Sequence, residues 1–327
     1  MNKLASIIVL TYNSEKYIEN CLKSILGQTY KNIELIIVDN YSKDSSVKII
    51  ENWKLRVGNC KFIENSINLG YAKGNNLGIN ESEGEYAFII NPDVVLEENY
   101  IAETIKIFEK DSQIGSVQGK IYQLIYKEKT KIIDTVGFRV FESGRVIDEG
   151  QGEQNSEKYN NVVETFGVNG AAAAYRRETL NDVRLKEEYF DEDFFCYAED
   201  LDLAWRAKWR GWKCVFCPEA VLWHDRTSSK SIGGGWKEFR KARKLQSLWM
   251  RRISWRNMWF TYIKNLSIKS FLNSKFLKRQ IKFSIYLLIF EPRILLAKFS
   301  IIKLLPKILK KRKLIMKNKK VKYVRLN

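Results

Sequence analysis

Histidine is all but missing from this 327-residue chain: His224 is the only one. A zinc cage built on several imidazoles is therefore excluded, and any imidazole chemistry rests on that residue. Cysteine is scarce too, five in all, which gives no disulfide framework. Cys214-Val-Phe-Cys217 is a lone C-x-x-C with no second pair. In a strand its two thiols point to opposite faces, so core packing is expected. No apolar stretch reaches the ~18–20 residues of a membrane-spanning helix. The nearest, residues 283–290, stops at Glu291-Pro292-Arg293. The apolar run over residues 4–10 is short and has no leader-peptide cleavage pattern, so a reducing, cytosolic setting is expected.

Acidic residues nearly vanish after Asp225. Residues 226–327 hold 29 Lys and Arg against only Glu238 and Glu291, whereas residues 1–225 hold 27 basic and 36 acidic side chains. The net charge of +18 thus belongs to a basic C-terminal third attached to an acidic globular part. Such a break marks a boundary, and two regions are expected, 1–226 and 227–327, joined through a flexible Gly233-Gly234-Gly235. A hydrophobic content of 45% is enough for a real core.

Within the first 120 residues, short apolar runs alternate with helical periodicity. Residues 6–11, 34–38, 61–63 and 85–90 read as strands. Residues 16–26, 45–53, 71–80 and 97–110 read as helices. That alternation predicts an α/β fold with a mostly parallel central sheet and helices on both faces. In such sheets ligands sit beyond the carboxyl ends of the strands, where Thr11, Asp39 and Asp93 fall. Strands and hairpins are expected from 117 to 174, then a helix opened by Glu199, Asp200 and Asp202, then strands at 212–217 and 221–224.

Six places could carry chemistry. Glu199, Asp200 and Asp202 stand at a helix N-terminus, where the macrodipole keeps a carboxylate ionised, as a general base requires. The plain alternative is an acidic cap with a surface ion pair between Asp202 and Arg206 at i, i+4. Asn91-Pro92-Asp93 is either a turn or a rigid mount for a carboxylate that holds Mg²⁺ or Mn²⁺ against a diphosphate. His224 ends an apolar strand and could join that cation. Asp39 could accept an imide N–H from a uracil or thymine ring, or simply form a turn. The glycine-punctuated loop from Asn68 to Gly78 matches neither a dinucleotide fingerprint nor a P-loop. It serves as a nucleotide-sugar loop or a plain helix entry. The run Gly170-Ala171-Ala172-Ala173-Ala174 permits close approach of a substrate or a facing helix.

The order of the motifs SIIVLTYN, IIVDN, NLGYAKGNNLG, IINPDVV, GAAAAYRRE, FFCYAEDLDLAWRAKWRG and VLWH resembles the family 2 glycosyltransferases of GT-A fold, in particular their bacterial rhamnosyltransferase-like branch. The resemblance spans about residues 4 to 226. It implies that Thr11, Tyr12 and Asn13 line a nucleotide pocket, that Asp39 holds the base, and that Asn68 orders the adjoining loop. Asp93 would end the family's metal-binding Asp-x-Asp, whose first position is here Asn91, one charge poorer. Asp200 would be the catalytic base with Glu199 its neighbour, and His224 a late metal ligand beside Asp93. The implied reaction is inverting transfer from a dTDP- or UDP-linked sugar to a hydroxyl of a lipid-linked saccharide in cell-surface polysaccharide synthesis, assisted by Mg²⁺ or Mn²⁺. A non-catalytic nucleotide or nucleic-acid binder on the same scaffold is the alternative.

In the basic third, residues 237–259 read as one helix, residues 281–309 mix apolar residues with lysines, and a basic tail follows. Basic amphipathic helices rich in Trp and Phe lie on anionic membranes. A peripheral position on the inner face of the cell membrane is expected, with Trp249, Trp255, Trp259, Phe283 and Leu287 entering lipid. Nucleic acid is disfavoured because no recognition fold is visible. A basic face packed on the acidic domain is the remaining reading.

Overall fold

The computed structural model describes residues 3–54, 58–226 and 236–326, with backbone alone for 236–239. The glycine joint at 233–235 lies outside the described residues. Strands β1 (Ala5–Thr11), β2 (Ile33–Asp39), β3 (Cys60–Glu64) and β4 (Tyr86–Ile90) are joined by α1 (Ile18–Leu26), α2 (Ser46–Lys54) and α3 (Gly70–Asn80). All four strands are parallel, in the order β3-β2-β1-β4. β1 is buried at every position, as a strand covered on both faces must be. α1 buries Ile18, Cys21, Leu22 and Ile25 along one side and leaves its polar side to water. Strand order reverses at β1, which opens a crevice at the carboxyl ends of β1 and β4.

The chain continues through β5 (Val94–Leu96), α4 (Tyr100–Lys110), β6 (Ile114–Ile125), β7 (Glu128–Thr135), the hairpin β8 (Phe138–Val140) and β9 (Val146–Asp148), and β10 (Val163–Thr165). Then come β11 (Ala172–Arg176), α5 (Arg177–Val183), α6 (Glu199–Trp209) and β12 (Lys213–His224). β11 enters the sheet antiparallel between β4 and β6, and β12 lies parallel to β6. The expected strands at 212–217 and 221–224 are one strand, irregular between Cys217 and Val221. Its end pairs with β5, setting His224 opposite Val94. Cys214 and Cys217 are free and buried, and they pack into separate cores.

The basic third forms α7 (Trp236–Leu245), α8 (Leu248–Asn265), α9 (Ile268–Phe271), α10 (Ser274–Phe290) and α11 (Ala297–Lys317). The single helix expected over 237–259 is two helices. The chain breaks before Ser247, whose hydroxyl accepts the N–H of Met250 at 3.1 Å and caps α8. α8 lies against α6 and α11, and its cations reach acids of the N-terminal part. Lys264, fully buried, meets Asp191 and lies 2.8 Å from Asp202. Lys311 pairs with Glu188 at 2.9 Å and with Asp191 at 2.5 Å.

Two expectations change here. Asp202 and Arg206 do pair, at 3.0 Å, but with 0% and 2% exposure the pair is interior rather than on the surface. Arg206 also donates to the carbonyls of Val183 and Tyr189. The residues expected to enter lipid are not all exposed. Leu287 is fully buried, and Trp255, Trp259 and Phe283 pack against interior clusters, whereas Trp249 touches Phe195 edge-on and stays 52% exposed. The exposed apolar residues of α10 are instead Leu277, Ile281, Ile285, Leu288, Ile289 and Phe290, with Phe299 and Ile302 on α11. Helical phase explains the exchange: Leu287 and Phe283 are one turn apart on the side facing α8, and the i, i+4 series 277-281-285 points away from it.

Candidate active site

The crevice holds two adjoining cavities, of about 400 and 470 Å³. The first is lined by Thr11, Tyr12, Asn13, Asn68, Asn91 and Asp93. The second is lined by Asn91, Asp93, Glu199, Asp200 and His224, among others. Tyr71, Asn91, Asp93 and Cys196 belong to both. Of the residues singled out from the sequence, Asp202 is paired in the interior and lines neither cavity, and Asp39 also stands outside. It is fully buried, and its carboxylate oxygens accept from the Ser42 N–H at 2.8 Å and the Ser42 hydroxyl at 2.5 Å. Asn40, beside it, lines the first cavity.

Local chemistry explains the first cavity. Thr11 ends β1 with its hydroxyl buried and unpartnered. Asn13 adopts a positive φ of 50° and accepts the Lys43 N–H, fixing the bend after β1. Asn68 accepts the N–H of Gly70, whose φ of 80° suits glycine. Gly70 is also confined by contact, because a Cβ there would fall 2.5 Å from the Phe195 ring. Trp249, from the basic third, closes the rim beside Phe195.

Asp200 is reached through an unusual loop. Phe195, Tyr197 and Ala198 all have positive φ, a conformation that persists only when its surroundings hold it. Asn257 of α8 supplies that hold, donating to the carbonyls of Phe194, Cys196 and Tyr197 at 2.8–2.9 Å. The half-buried Asp200 accepts N–H groups from Gly170 at 2.8 Å and Leu201 at 2.7 Å. Burial raises its pKa to about 6, and the two N–H donors restrain the rise. Burial and the adjacent Asp200 push Glu199 well above the usual carboxylate range. The pair therefore divides into Asp200, a base with useful proton affinity, and Glu199, which burial holds higher still. An ordinary Asp near pKa 4 would be a weaker base toward an alcohol.

Asp93 and His224 meet on the opposite wall. His224 Nε2 lies 3.5 Å from Asp93 Oδ2, and Nδ1 lies 2.9 Å from Asp134 Oδ2. Burial alone would lower the imidazole pKa, but Asp93 and Asp134 outweigh it and lift it to about 9. Arg226 bridges Asp134 and Asp148, at 3.0 Å to each. Among the described residues no group of three or more His, Cys, Asp and Glu side chains forms a complete metal cage. Asp93 Oδ1 is nevertheless buried without a partner. One carboxylate oxygen and one imidazole nitrogen fit a hard divalent ion that takes its remaining ligands from phosphate and water. Asp134, Asp148, Arg226 and Asn257 escaped the sequence reading. None sits in a motif, and only the closeness of Arg226 to His224 in sequence hinted at any of them.

A family model described as glycosyl transferase family 2 matches residues 6–184. Glycosyltransferase GlyG of Streptococcus pneumoniae serotype 4 is 36% identical over 116 residues, 35% of this chain and 38% of that protein. The poly-beta-1,6-N-acetyl-D-glucosamine synthase of Staphylococcus epidermidis is 24% identical over 233 residues, 71% of this chain and 52% of that protein. The chain thus spans about half or less of the length of these curated relatives. Similar solved structures include GalNAc-T7 with UDP, GalNAc and Mn²⁺ (TM-score 0.59, 15% identity, 80% of this chain and 50% of that one). The mannosyltransferase PcManGT of Pyrobaculum calidifontis with GDP-Man and Mn²⁺ aligns with TM-score 0.56 at 16% identity over 97% of this chain and 86% of that one. Both likenesses concern the fold.

Proposed function

The chain belongs to the family 2 glycosyltransferases, and we propose that it moves a sugar from a nucleotide-sugar to a saccharide hydroxyl with inversion, in cell-surface polysaccharide synthesis. One observation carries the reading: Asp93 and Asp200 line one continuous crevice, and the cavity on the far side of Asp93 ends in Thr11, Tyr12 and Asn13. A nucleotide in the first cavity leaves its diphosphate at Asp93 and its sugar facing Asp200.

In this reading Asp200 takes the proton of the acceptor hydroxyl as that oxygen attacks the anomeric carbon. The N–H groups of Gly170 and Leu201 hold the carboxylate in place, so positioning supplies much of the rate. A single base and one in-line displacement invert the centre. Asp93 and His224 would hold Mg²⁺ or Mn²⁺, which when bound offsets the charge of the departing diphosphate. Asp134 keeps the imidazole turned, with Nε2 toward Asp93.

The donor is a dTDP- or UDP-linked sugar. The motif order favours a rhamnosyltransferase-like preference, while the relatives' names bring N-acetylglucosamine and mannose donors into the comparison. Release of nucleoside diphosphate across a panel of nucleotide-sugars, with and without saccharide acceptors, tests the reading. Binding of a nucleotide without turnover of any donor would leave only the non-catalytic alternative.

We further propose residues 1–226 as the transferase domain and 227–327 as a region that seats it on the inner, anionic face of the cell membrane. No helix among the described residues is long and apolar enough to cross a membrane. The support is the exposed row Leu277, Ile281, Ile285 and Leu288 on α10, flanked by Lys278 and Lys282. Such a helix lies in the interface plane.

A further inference from the structure

A third cavity, about 720 Å³, lies between α8 and α10. Trp255, Trp259 and Tyr262 form one wall, Lys278, Arg279 and Lys282 another, and Arg145 enters from the turn between β8 and β9. Val146, Ser254 and Met258 line both this cavity and the one that holds Asp200, so the two share a wall and lie side by side.

Its lining is strongly cationic. On the same rim Lys275 pairs with Glu142 and Arg243 with Glu291. Among the described residues no ion pair is made by Arg145, Lys278, Arg279 or Lys282, and no carboxylate lines the cavity. The amide nitrogen of Gln280, which also lines it, is buried without an acceptor. Four cations that make no ion pair among the described residues, set beside aromatic walls, suit an anion with several oxygens. Lys278 and Lys282 also border the exposed apolar row of α10, so the anion would stand where lipid chain and catalytic crevice come closest.

We propose that this cavity is an acceptor subsite that binds the diphosphate joining a lipid chain to the acceptor saccharide. The chain would lie along Leu277, Ile281 and Ile285 and the saccharide would extend past Ser254 toward Asp200. The inference rests on the transferase reading for its biological sense, but the binding it describes is measurable without transfer.

The test uses the full chain with its donor site saturated by UDP, so that added diphosphate cannot bind there. Titration with a short-chain alkyl diphosphate, below its micellar concentration and without vesicles, is read by tryptophan fluorescence. Inorganic pyrophosphate and a neutral alkyl glycoside are titrated in parallel. The double substitution Lys278→Gln/Lys282→Gln is expected to weaken alkyl diphosphate binding at least tenfold, and Lys278→Arg/Lys282→Arg to restore it. UDP affinity and the near-UV circular dichroism should stay unchanged in both. Unaltered affinity in the Gln variant overturns the subsite. Equal affinity for pyrophosphate and alkyl diphosphate, lost together in the Gln variant, overturns the lipid-linked source and leaves a phosphate of a soluble acceptor. Tightest binding of the neutral glycoside overturns the anion assignment. Failure of every donor to turn over, with alkyl diphosphate binding intact, would count against the transferase reading alone.

Discussion

Gly170 donates its backbone N–H to Oδ2 of Asp200 at 2.8 Å, and a Cβ at residue 170 would stand 3.1 Å from the same oxygen. The small residues that lead into β11 therefore allow the strand to approach the carboxylate closely. A Cβ at 170 would press on that oxygen and, at the same distance, on the Tyr71 hydroxyl. The close approach and the Leu201 N–H hold the half-buried Asp200 in place.

Asp200→Asn should abolish transfer, lowering kcat by about 10²–10⁴-fold, the usual cost of a lost base, while UDP binding persists. In the wild-type enzyme kcat should fall as pH drops through about 6, where Asp200 takes up its proton. The linkage sign is also testable. A carboxylate raised in the folded state loses its contribution to stability as pH rises through that value. Asp200→Asn should therefore unfold at a higher temperature than wild type at pH 8, with the gap closing toward pH 4. A pH-independent kcat in the wild type would remove Asp200 from the base role.

Asp93→Ala and His224→Ala should each weaken Mn²⁺ binding measured by calorimetry in the presence of UDP. Asp134→Asn should weaken it less, in the ~10–100-fold range typical of a lost orienting partner. Unchanged Mn²⁺ affinity in all three variants would dismiss the assignment of both ligands.

Asn257→Ala removes three hydrogen bonds to the loop before Asp200 and leaves those from Arg256 to Phe194 and from Ala72 to Phe195. Stranding buried carbonyls costs about 1–3 kcal/mol each way of counting, so a lower Tm is expected. Because the loop carries Asp200, kcat should drop more than the affinity for UDP. A variant with full kcat would show that the loop holds itself.

Lys264→Met leaves Asp191 and Asp202 buried without their shared cation, a loss of about 3–5 kcal/mol. In the wild type, burial alone would raise the Asp191 carboxyl, but Lys264 and Lys311 hold it well below the usual range. That stability is present above the unfolded carboxylate value near 4 and is lost as pH falls below it. Denaturant titrations at pH 7 and pH 3 should differ more for wild type than for Lys264→Met, in which Lys311 still holds Asp191 and Arg206 still holds Asp202.

Sedimentation with anionic vesicles at low salt, with partial release at high salt, is expected of the full chain, because screening weakens charge attraction but not apolar insertion. Ile281→Asp with Ile285→Asp should remove the salt-resistant fraction. Trp249→Ala should not, since Trp249 faces the crevice. Retention of that fraction by the aspartate variant would place insertion elsewhere.

Sequence alone determined the parallel half of the sheet and the strand ends that carry Thr11 and Asp93. Those elements are local: continuous apolar runs make buried strands, 3.6-residue periodicity makes the helices between them, and strand ends are where parallel sheets open. It also exposed the charge break near Asp225 and the acidic start of α6. The tertiary structure alone decided what those charges do. Asp202 and Arg206 are neighbours on any helix, but only packing under α8 makes them interior. The face of α10 that meets solvent depends on where α8 lies, so Phe283 and Leu287 pack inward while Ile281 and Ile285 are left exposed. Asp134 meets His224, and Asn257 meets the loop before Asp200, across long stretches of chain. Contacts of that range leave no periodicity or spacing in a single sequence, because they arise only when separate elements are brought together by the core.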